Sequence, residues 1–351
     1  MDILVGPISG QHIVGQLAAL DALSAFKYRP TISMGASGGA VAILCYHGGD
    51  YTSQGLERVI KDLNCENFVE PWMPGLPSAA IGFFQGAFYC HPRDNMQYIR
   101  NNIAPGILLD NEIWIQTYDM RSERTNVWCS KREGESKLYV DPKMATEMNV
   151  NPVRFIGGDM DLYCKVAKAS SAIPSILPPV MIGVERHVDG GVAYSSPIIP
   201  LQKSIKELGN IHIIYIIGSN IHVNDSIVKA DDNPSLLDTV NVIVRYLLKS
   251  NINQDRIAGY QIISTMCDDV AEDDITLGSY FQRRDEWESS FLEITPGETK
   301  VIKLMSFTGE ELVKVYKSMV PDLKCRVRYR RKGCSDGKCA NRGGEPRPLT
   351  R

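Results

Sequence analysis

The chain has 351 residues, of which 44% are hydrophobic and 23% charged, and its formal net charge is −3. These values are ordinary for a soluble globular protein, built as one large domain or as a domain with additions. No apolar run approaches the length that crosses a bilayer, so a membrane-spanning protein is excluded.

The N-terminus and the cysteines predict an intracellular protein that is soluble or peripherally attached to a membrane. Met1–Val5 has no basic region and continues directly into a strand, unlike a signal peptide. The nine cysteines are odd in number and scattered, and Cys325, Cys334 and Cys339 lack a fourth partner at zinc-site spacing. We therefore expect the cysteines to be reduced thiols. We also expect the protein to use no metal or cofactor.

The first elements along the chain alternate between strand and helix. Strands are predicted over Ile3–Val5 and Thr31–Met34, and apolar residues recur with helical spacing from Ile13 to Phe26. A buried helix is predicted over Ala40–Tyr46. This β-α-β-α order predicts an α/β sandwich with parallel central strands.

Residues 66–110 are irregular and rich in Pro, Gly and aromatic residues. They form either a mobile cover over an acyl-binding pocket or surface loops packed by aromatic side chains, and the second interpretation is favoured slightly. The aromatic residues concerned are Phe68, Trp72, Phe83, Phe84, Phe88 and Tyr89.

The second half contains a nearly continuous apolar, β-branched run, Ile211–Ile217, as expected of a central parallel strand buried on both faces. Other predicted strands are Ile113–Tyr118, Asn126–Cys129 and Val153–Ile156, and the predicted helices are Leu162–Ser171, Ser235–Ser250 and Gly309–Ser318.

The C-terminal end is strongly basic. From Lys324 to Arg351 ten Lys and Arg residues face two acidic ones, a charge of +8, which leaves −11 for the rest of the chain. Residues 321–351 are predicted to be a disordered tail. Anionic-lipid contact, nucleic-acid binding and nuclear targeting all fit this charge, but a merely solvated tail is favoured slightly and no specific nucleic acid is predicted.

The most informative motif is Gly35-Ala36-Ser37-Gly38-Gly39, which follows a strand and precedes a helix. This G-x-S-x-G pattern is typical of a nucleophile elbow, where a sharp turn exposes a serine hydroxyl. Glycines two before and two after the serine allow neighbouring backbone to approach without a Cβ clash. A simple glycine-rich turn is the alternative interpretation.

A partner for this serine is suggested by Asp189 in Val188-Asp189-Gly190-Gly191-Val192. A buried carboxylate in contact with Ser37 would accept its proton if burial raised the carboxyl pKa towards neutrality. Taken alone, Asp-Gly-Gly is better explained as an ordinary turn.

Three segments taken together are a far more specific signal than either motif alone: Gly35–Gly39, the block Lys168–Pro179, and His187–Gly191. Their order and spacing resemble the patatin-like phospholipase family from Met1 to about residue 203. The resemblance implies a lipid acyl hydrolase on a three-layer α/β/α fold with a mainly parallel sheet, acting on lipid or phospholipid at a membrane surface. It implies Ser37 as nucleophile and Asp189 as base in a dyad without histidine.

The resemblance gives only the first part of the predicted division of the chain, and the basic tail follows from its charge. Residues 1–203 form the patatin-like domain, residues 204–320 continue it and complete the sheet, and residues 321–351 form the basic tail.

The family's oxyanion loop, G-G-G-x-[RK]-G, is altered here. Alignment on Gly10 places Val5, Gly6 and Pro7 at the three glycines and Ser9 at the basic residue, and Pro7 has no N–H to donate. The predicted donors are the backbone N–H groups of the following residues: Gly6, Ile8, Ser9, Gly10 and Gly38.

Two alternatives remain. A Ser-Asp-His triad with His212 or His222 has the right chain order, but its serine normally follows several strands rather than one. A lipid-surface binding or scaffold protein with little or no catalytic activity is suggested by Pro7 and the basic tail.

Overall fold

The computed structural model describes residues 1–64, 66, 70–71, 87, 89–91, 97–103, 105–218, 250–263, 290–296, 300 and 307–331. The strands are β1 (Asp2–Gly6), β2 (Ile32–Gly35), β3 (Glu70–Pro71), β4 (Tyr89–Cys90), β5 (Glu112–Asp119), β6 (Arg124–Cys129), β7 (Arg154–Phe155), β8 (Val180–Ile182), β9 (Glu185–Asp189), β10 (His212–Ile216) and β11 (Phe291–Ile294).

The α-helices are α1 (Ile13–Ser24), α2 (Gly38–Gly48), α3 (Ser53–Lys61), α4 (Gln97–Asn102), α5 (Pro105–Asp110), α6 (Pro142–Glu147), α7 (Met160–Ser170), α8 (Gln202–Glu207), α9 (residues 250–263) and α10 (Gly309–Arg331). Short 3₁₀ turns span Gly10–His12 and Gly190–Val192. None of the helices in the described part of the chain is both long and apolar enough to cross a membrane.

In the described part of the chain, nine strands form the central sheet, and β3 pairs with β4 separately. The order along the sheet is β11-β10-β1-β2-β5-β6-β7, with β9 beside β5 and β8 beside β9. Pairing is parallel from β11 through to β5 and again between β6 and β7, and antiparallel where β5 meets β6 and β9 and where β8 meets β9. The predicted mainly parallel sheet is confirmed.

Helices cover both faces of this sheet and create two apolar cores. One core contains buried residues of α1, α2, α3, α7 and α10, and the other contains buried residues of α8 and α9. Strands covered on both sides need apolar residues at successive positions, as β10 has. The result is the expected three-layer α/β/α arrangement.

The register of β1 and β2 places two loops side by side. Gly6, the last residue of β1, lies opposite Gly35, the last residue of β2. Chain segments that leave the carboxyl ends of adjacent parallel strands begin at the same edge of the sheet, where α/β proteins bind ligands. The Pro7–Ser9 loop and the Ala36-Ser37 turn therefore start next to each other.

Two expectations need correction. Part of the segment predicted to be irregular is helical, because α4 and α5 lie within it, and of its named aromatic residues only Tyr89 lies in the described part. The predicted disordered tail does not start at residue 321, because α10 continues through Pro321 to Arg331. Residues 235–249 and 332–351 lie outside the described residues.

The sheet predicts that the first 203 residues do not fold alone. That fragment lacks β10 and β11, so β1, whose residues Ile3–Gly6 are all buried, becomes an uncovered sheet edge. It also lacks α10, which packs on α1. We expect a chain of residues 1–203 to aggregate, whereas residues 1–331 melt cooperatively by circular dichroism. A monomeric 1–203 fragment with a cooperative melting transition would contradict this.

Candidate active site

Ser37 occupies a strained turn between β2 and α2. Its φ of 52° and ψ of −132° lie in a region that non-glycine residues rarely adopt. It directly precedes Gly38, the first residue of α2, so its side chain lies at the positive end of that helix dipole. This is the strand-turn-helix geometry that the G-x-S-x-G pattern predicts.

The flanking glycines are required by close backbone approach. A Cβ on Gly35 would lie 2.7 Å from Cα of Ala40. A Cβ on Gly39 would lie 2.0 Å from the carbonyl oxygen of Gly6 and 2.3 Å from that of Pro7. Any side chain at residue 39 would therefore separate α2 from the loop that follows β1.

Asp189 ends β9, which is antiparallel to β5. Its backbone N–H donates to the carbonyl of Ala172 at 3.0 Å, and its Oδ1 accepts the N–H of Gly191 at 2.8 Å. Gly190 must lack a side chain because a Cβ there would lie 2.3 Å from the carbonyl oxygen of Gln116. The carboxyl group is thus held by its own turn, with one oxygen engaged.

The structure brings Ser37 and Asp189 together in a buried site where each is only 2% exposed. Burial raises the pKa of the Asp189 carboxyl to about 7, and the Ser37 side chain and the Gly191 N–H lower it by smaller amounts. The two side chains interact without a fully formed hydrogen bond, since Oδ2 of Asp189 has no partner among the described residues. Catalytic hydrogen bonds are often long before substrate binds.

The loop after β1 corrects the expectation for two predicted oxyanion donors. The N–H of Ile8 donates to the carbonyl of Ser195 at 2.8 Å, so it does not face the site. Gly6 belongs to the sheet, in register with Gly35, and its carbonyl accepts the N–H of Ala36 at 3.3 Å. Both residues hold the loop in place rather than offering a free N–H to a substrate.

The other predicted donors fit an oxyanion site better. Within the described residues, the N–H groups of Ser9, Gly10 and Gly38 have no hydrogen-bond acceptor. The nitrogen of Gly10 lies 3.2 Å from the position that a Cβ on Gly38 would occupy. Gly10 and Gly38, which lie close together beside the Ser37 turn, thus each have an unpaired N–H group.

A model of the patatin-like phospholipase family matches residues 10–201, which is more than half of the chain. The chain belongs to the patatin-like phospholipase family. Its members are generally lipid acyl hydrolases. A comparison with curated proteins yields no match.

The patatin-like match includes Ser37 and Asp189 but begins after the altered loop at Pro7–Ser9. That loop is anchored by residues to which the sequence analysis assigned no role. The side-chain Nε2 of Gln16 donates to the carbonyl of Pro7 at 2.7 Å, and Ser195 accepts from Ile8 as described. Gln16 lies in the first turn of α1 and belongs to none of the predicted motifs, so its contact with the loop is visible only in the fold.

One block of the patatin-like sequence connects both site residues. The hydroxyl of Ser170 accepts the N–H of Ser37 at 3.0 Å, and the carbonyl of Ala172 accepts the N–H of Asp189. The sequence analysis placed the block Lys168–Pro179 before Asp189, but it did not predict a contact between this block and the Ser37 turn. Ser170 and Ala172, which lie two residues apart on one segment, therefore set the relative position of Ser37 and Asp189.

His212, the described member of the alternative triad, does not lie near Ser37. His212 begins β10, where its Nδ1 lies 3.7 Å from Asp2 Oδ1, at the opposite end of the strands from Ser37. His47 contacts Ser33 and Tyr51 instead. The alternative triad through His212 is therefore wrong, and His222 lies outside the described residues. No cluster of potential metal ligands occurs among the residues described.

The Ser170 contact generates a stability prediction. Ser170→Ala leaves the buried N–H of Ser37 without its acceptor, which costs about 1–3 kcal/mol in the free energy of unfolding. The control is Ser171→Ala, whose hydroxyl bonds only to carbonyls of its own helix, Ala167 and Lys168. We expect this control to change stability by less than about 0.5 kcal/mol in urea titrations. Equal losses in both variants would contradict the role of Ser170.

The raised pKa of Asp189 generates a second prediction. In the unfolded chain this carboxyl ionises near pH 3.9, about three units below its folded pKa of about 7. Between these values the native state retains a proton that the unfolded state loses, so stability falls as the pH rises. Asp189→Asn removes this penalty while keeping an oxygen for the Gly191 N–H.

The gain in melting temperature of Asp189→Asn over wild type should therefore grow between about pH 4 and pH 7 and level off above about pH 8. Calorimetry of both proteins across this range measures the difference. A difference that stays constant with pH would show that the carboxyl ionises normally in the native state.

Proposed function

We propose that this protein is a serine lipid acyl hydrolase in which Ser37 is the nucleophile and Asp189 is the base. The observation that carries the proposal is the proximity of a strained, buried serine to a buried carboxyl whose Oδ2 has no hydrogen-bond partner in the described part of the chain. The substrate class is a lipid ester, and a phospholipid at a membrane surface is the expected physiological form.

The acylation step follows from this pairing. As Oγ of Ser37 attacks the ester carbonyl carbon, the ionised Asp189 carboxylate accepts the hydroxyl proton. The carbonyl oxygen becomes an oxyanion, and collapse of the tetrahedral intermediate breaks the ester bond. The leaving alcohol takes the proton from Asp189, and the acyl group remains on Ser37.

The developing negative charge needs donors that are already in place. The N–H groups of Gly38 and Gly10 are adjacent and unpaired among the described residues, and the dipole of α2 adds positive potential at the same point. The N–H of Ser9 is a further donor of the same loop. Together these groups replace the glycine N–H that Pro7 lacks.

Deacylation repeats the same chemistry with water. Asp189 removes a proton from water as it attacks the acyl-enzyme, and then returns that proton to Ser37 as the fatty acid leaves. An alcohol in place of water would make the same enzyme a transacylase. Both steps need the ionised carboxylate, so the pKa of Asp189 controls the rate.

The pH dependence of hydrolysis tests this mechanism. Because burial raises the pKa of Asp189 to about 7, kcat/KM should fall about tenfold per pH unit below pH 7 and reach a plateau above it. Ser37→Ala and Asp189→Asn should each lower hydrolysis of a p-nitrophenyl ester by at least about 10³-fold, in the range seen when members of a catalytic unit are removed.

The matched control is Asp255→Asn. Asp255 is fully buried like Asp189, and burial likewise raises its pKa to about 7, but its Oδ2 accepts the Tyr215 hydroxyl at 3.0 Å. We expect this variant to keep wild-type hydrolysis and the same pH profile. If the slope below pH 7 disappeared with Asp255→Asn and survived Asp189→Asn, the assignment of the base would be wrong.

A second candidate is a lipid-surface binding protein without turnover. Pro7 and the engagement of the Ile8 N–H favour it, because both reduce the number of loop donors. The basic residues near the C-terminus would provide contact with anionic lipid. Wild-type protein that hydrolyses no ester in a broad panel, yet binds phosphatidylserine vesicles in a salt-sensitive manner, would establish this second candidate.

A further inference from the structure

The side chain of Ser9 is the one feature of the altered loop that the mechanism above leaves unused. Ser9 is only 3% exposed, and its Oγ has no hydrogen-bond partner within the described residues. A buried hydroxyl without a partner is destabilising, so such groups are rare in folded proteins.

The position of this hydroxyl connects it with the nucleophile turn. Oγ of Ser9 lies 2.3 Å from the point that a Cβ on Gly38 would occupy, closer to that point than any atom outside α2 and the residues adjoining Gly38. The backbone nitrogen of Gly10 lies 3.2 Å from the same point. The unpaired hydroxyl of Ser9 and the unpaired N–H of Gly10 therefore lie next to Gly38. Gly38 follows Ser37, and its own N–H is also unpaired.

These atoms surround the start of α2, an eleven-residue helix with its positive dipole end at Ser37. A hydroxyl is a stronger candidate for charge stabilisation there than for structural support, because it rotates freely and bonds to no protein acceptor in the described part. Side-chain hydroxyls serve as oxyanion donors alongside backbone N–H groups.

We propose that the Ser9 hydroxyl is an oxyanion-hole donor that compensates for the missing N–H of Pro7. This inference rests on the proposed hydrolase function. As Ser37 attacks, the Ser9 O–H donates a hydrogen bond to the ester carbonyl oxygen, and the bond strengthens as negative charge develops. Ser9 keeps its proton throughout, so acylation and deacylation use the same donor.

This role separates catalysis from binding. A donor that acts mainly on the oxyanion contributes to kcat and only weakly to KM, because the uncharged ester makes a weaker hydrogen bond. A packing role for Ser9 predicts the opposite: its replacement by Ala would change stability or leave everything unchanged. The difference is measurable in one variant.

The test compares Ser9→Ala with wild type and with Ser204→Ala. Ser204 is buried to a similar degree, but its hydroxyl donates to the carbonyl of Leu201 within its own segment, away from the site. With a p-nitrophenyl ester, kcat of Ser9→Ala should fall about 10²–10³-fold with KM nearly unchanged. Ser204→Ala should keep the wild-type kcat.

A second readout is the inhibition constant of an alkylboronic acid, which forms a tetrahedral anionic adduct with a nucleophilic serine. It should rise for Ser9→Ala by about the same factor as kcat falls, because transition-state analogues use the same donors. The melting temperature of Ser9→Ala should equal or exceed that of wild type, since an unpartnered buried hydroxyl is lost.

Each outcome decides one question. If Ser9→Ala hydrolyses the ester and binds the boronic acid as wild type does, while Ser37→Ala is inactive, the Ser9 proposal is overturned and the hydrolase function stands. If wild type itself neither hydrolyses esters nor binds the boronic acid, the hydrolase function fails and the Ser9 proposal fails with it. Loss of kcat together with a matching loss of stability would identify a packing role and also overturn the proposal.

Discussion

The parallel pairing of β1 with β2 is the constraint on which the rest of the site depends. Because Gly6 and Gly35 are in register, the two chain segments that leave the sheet do so side by side. The close packing of α2 against the loop then requires that residue 39 have no side chain. The Ser37 turn and its neighbouring N–H groups are thus a consequence of strand register and of backbone contact distances.

The central sheet extends beyond residues 10–201, the range of the family match, because β10 and β11 from the C-terminal half belong to it. β10 pairs with the other side of β1, and Gln16 of α1 donates to both the carbonyl of Pro7 and, at 3.2 Å, that of Ile216. Asn251 of α9 donates to the carbonyl of Gly191 at 3.0 Å. Segments remote in sequence therefore hold the loop and the Asp189 turn.

Burial of Asp189 links stability to chemistry. Removing the carboxyl from water disfavours its charged form, which costs stability at neutral pH but makes the group a stronger base. Burial alone does not single out Asp189, because Asp255 is equally buried and its carboxyl pKa is likewise raised, while its Oδ2 bonds to Tyr215. The distinguishing feature of Asp189 is its position beside a strained serine.

Much of the fold and both central residues of the site were predictable from local pattern. The apolar, β-branched runs predict β1, β2 and β10. The glycines around Ser37 and after Asp189 predict turns at which neighbouring backbone approaches too closely for a side chain. Contacts made by tertiary structure were not predictable: the Ser170 hydroxyl accepts the Ser37 N–H, and the Ser195 carbonyl accepts the Ile8 N–H. Each depends on which distant segment lies opposite, and a single sequence carries no signal for that.

The measurement that tests the central claim most directly is the site of covalent modification by an alkyl fluorophosphonate, mapped by mass spectrometry of peptides from the full-length protein. The account predicts one adduct, on Ser37, forming more slowly as the pH falls below about 7 because Asp189 becomes protonated. Modification of a different residue, or undiminished modification of Ser37→Ala, would contradict it.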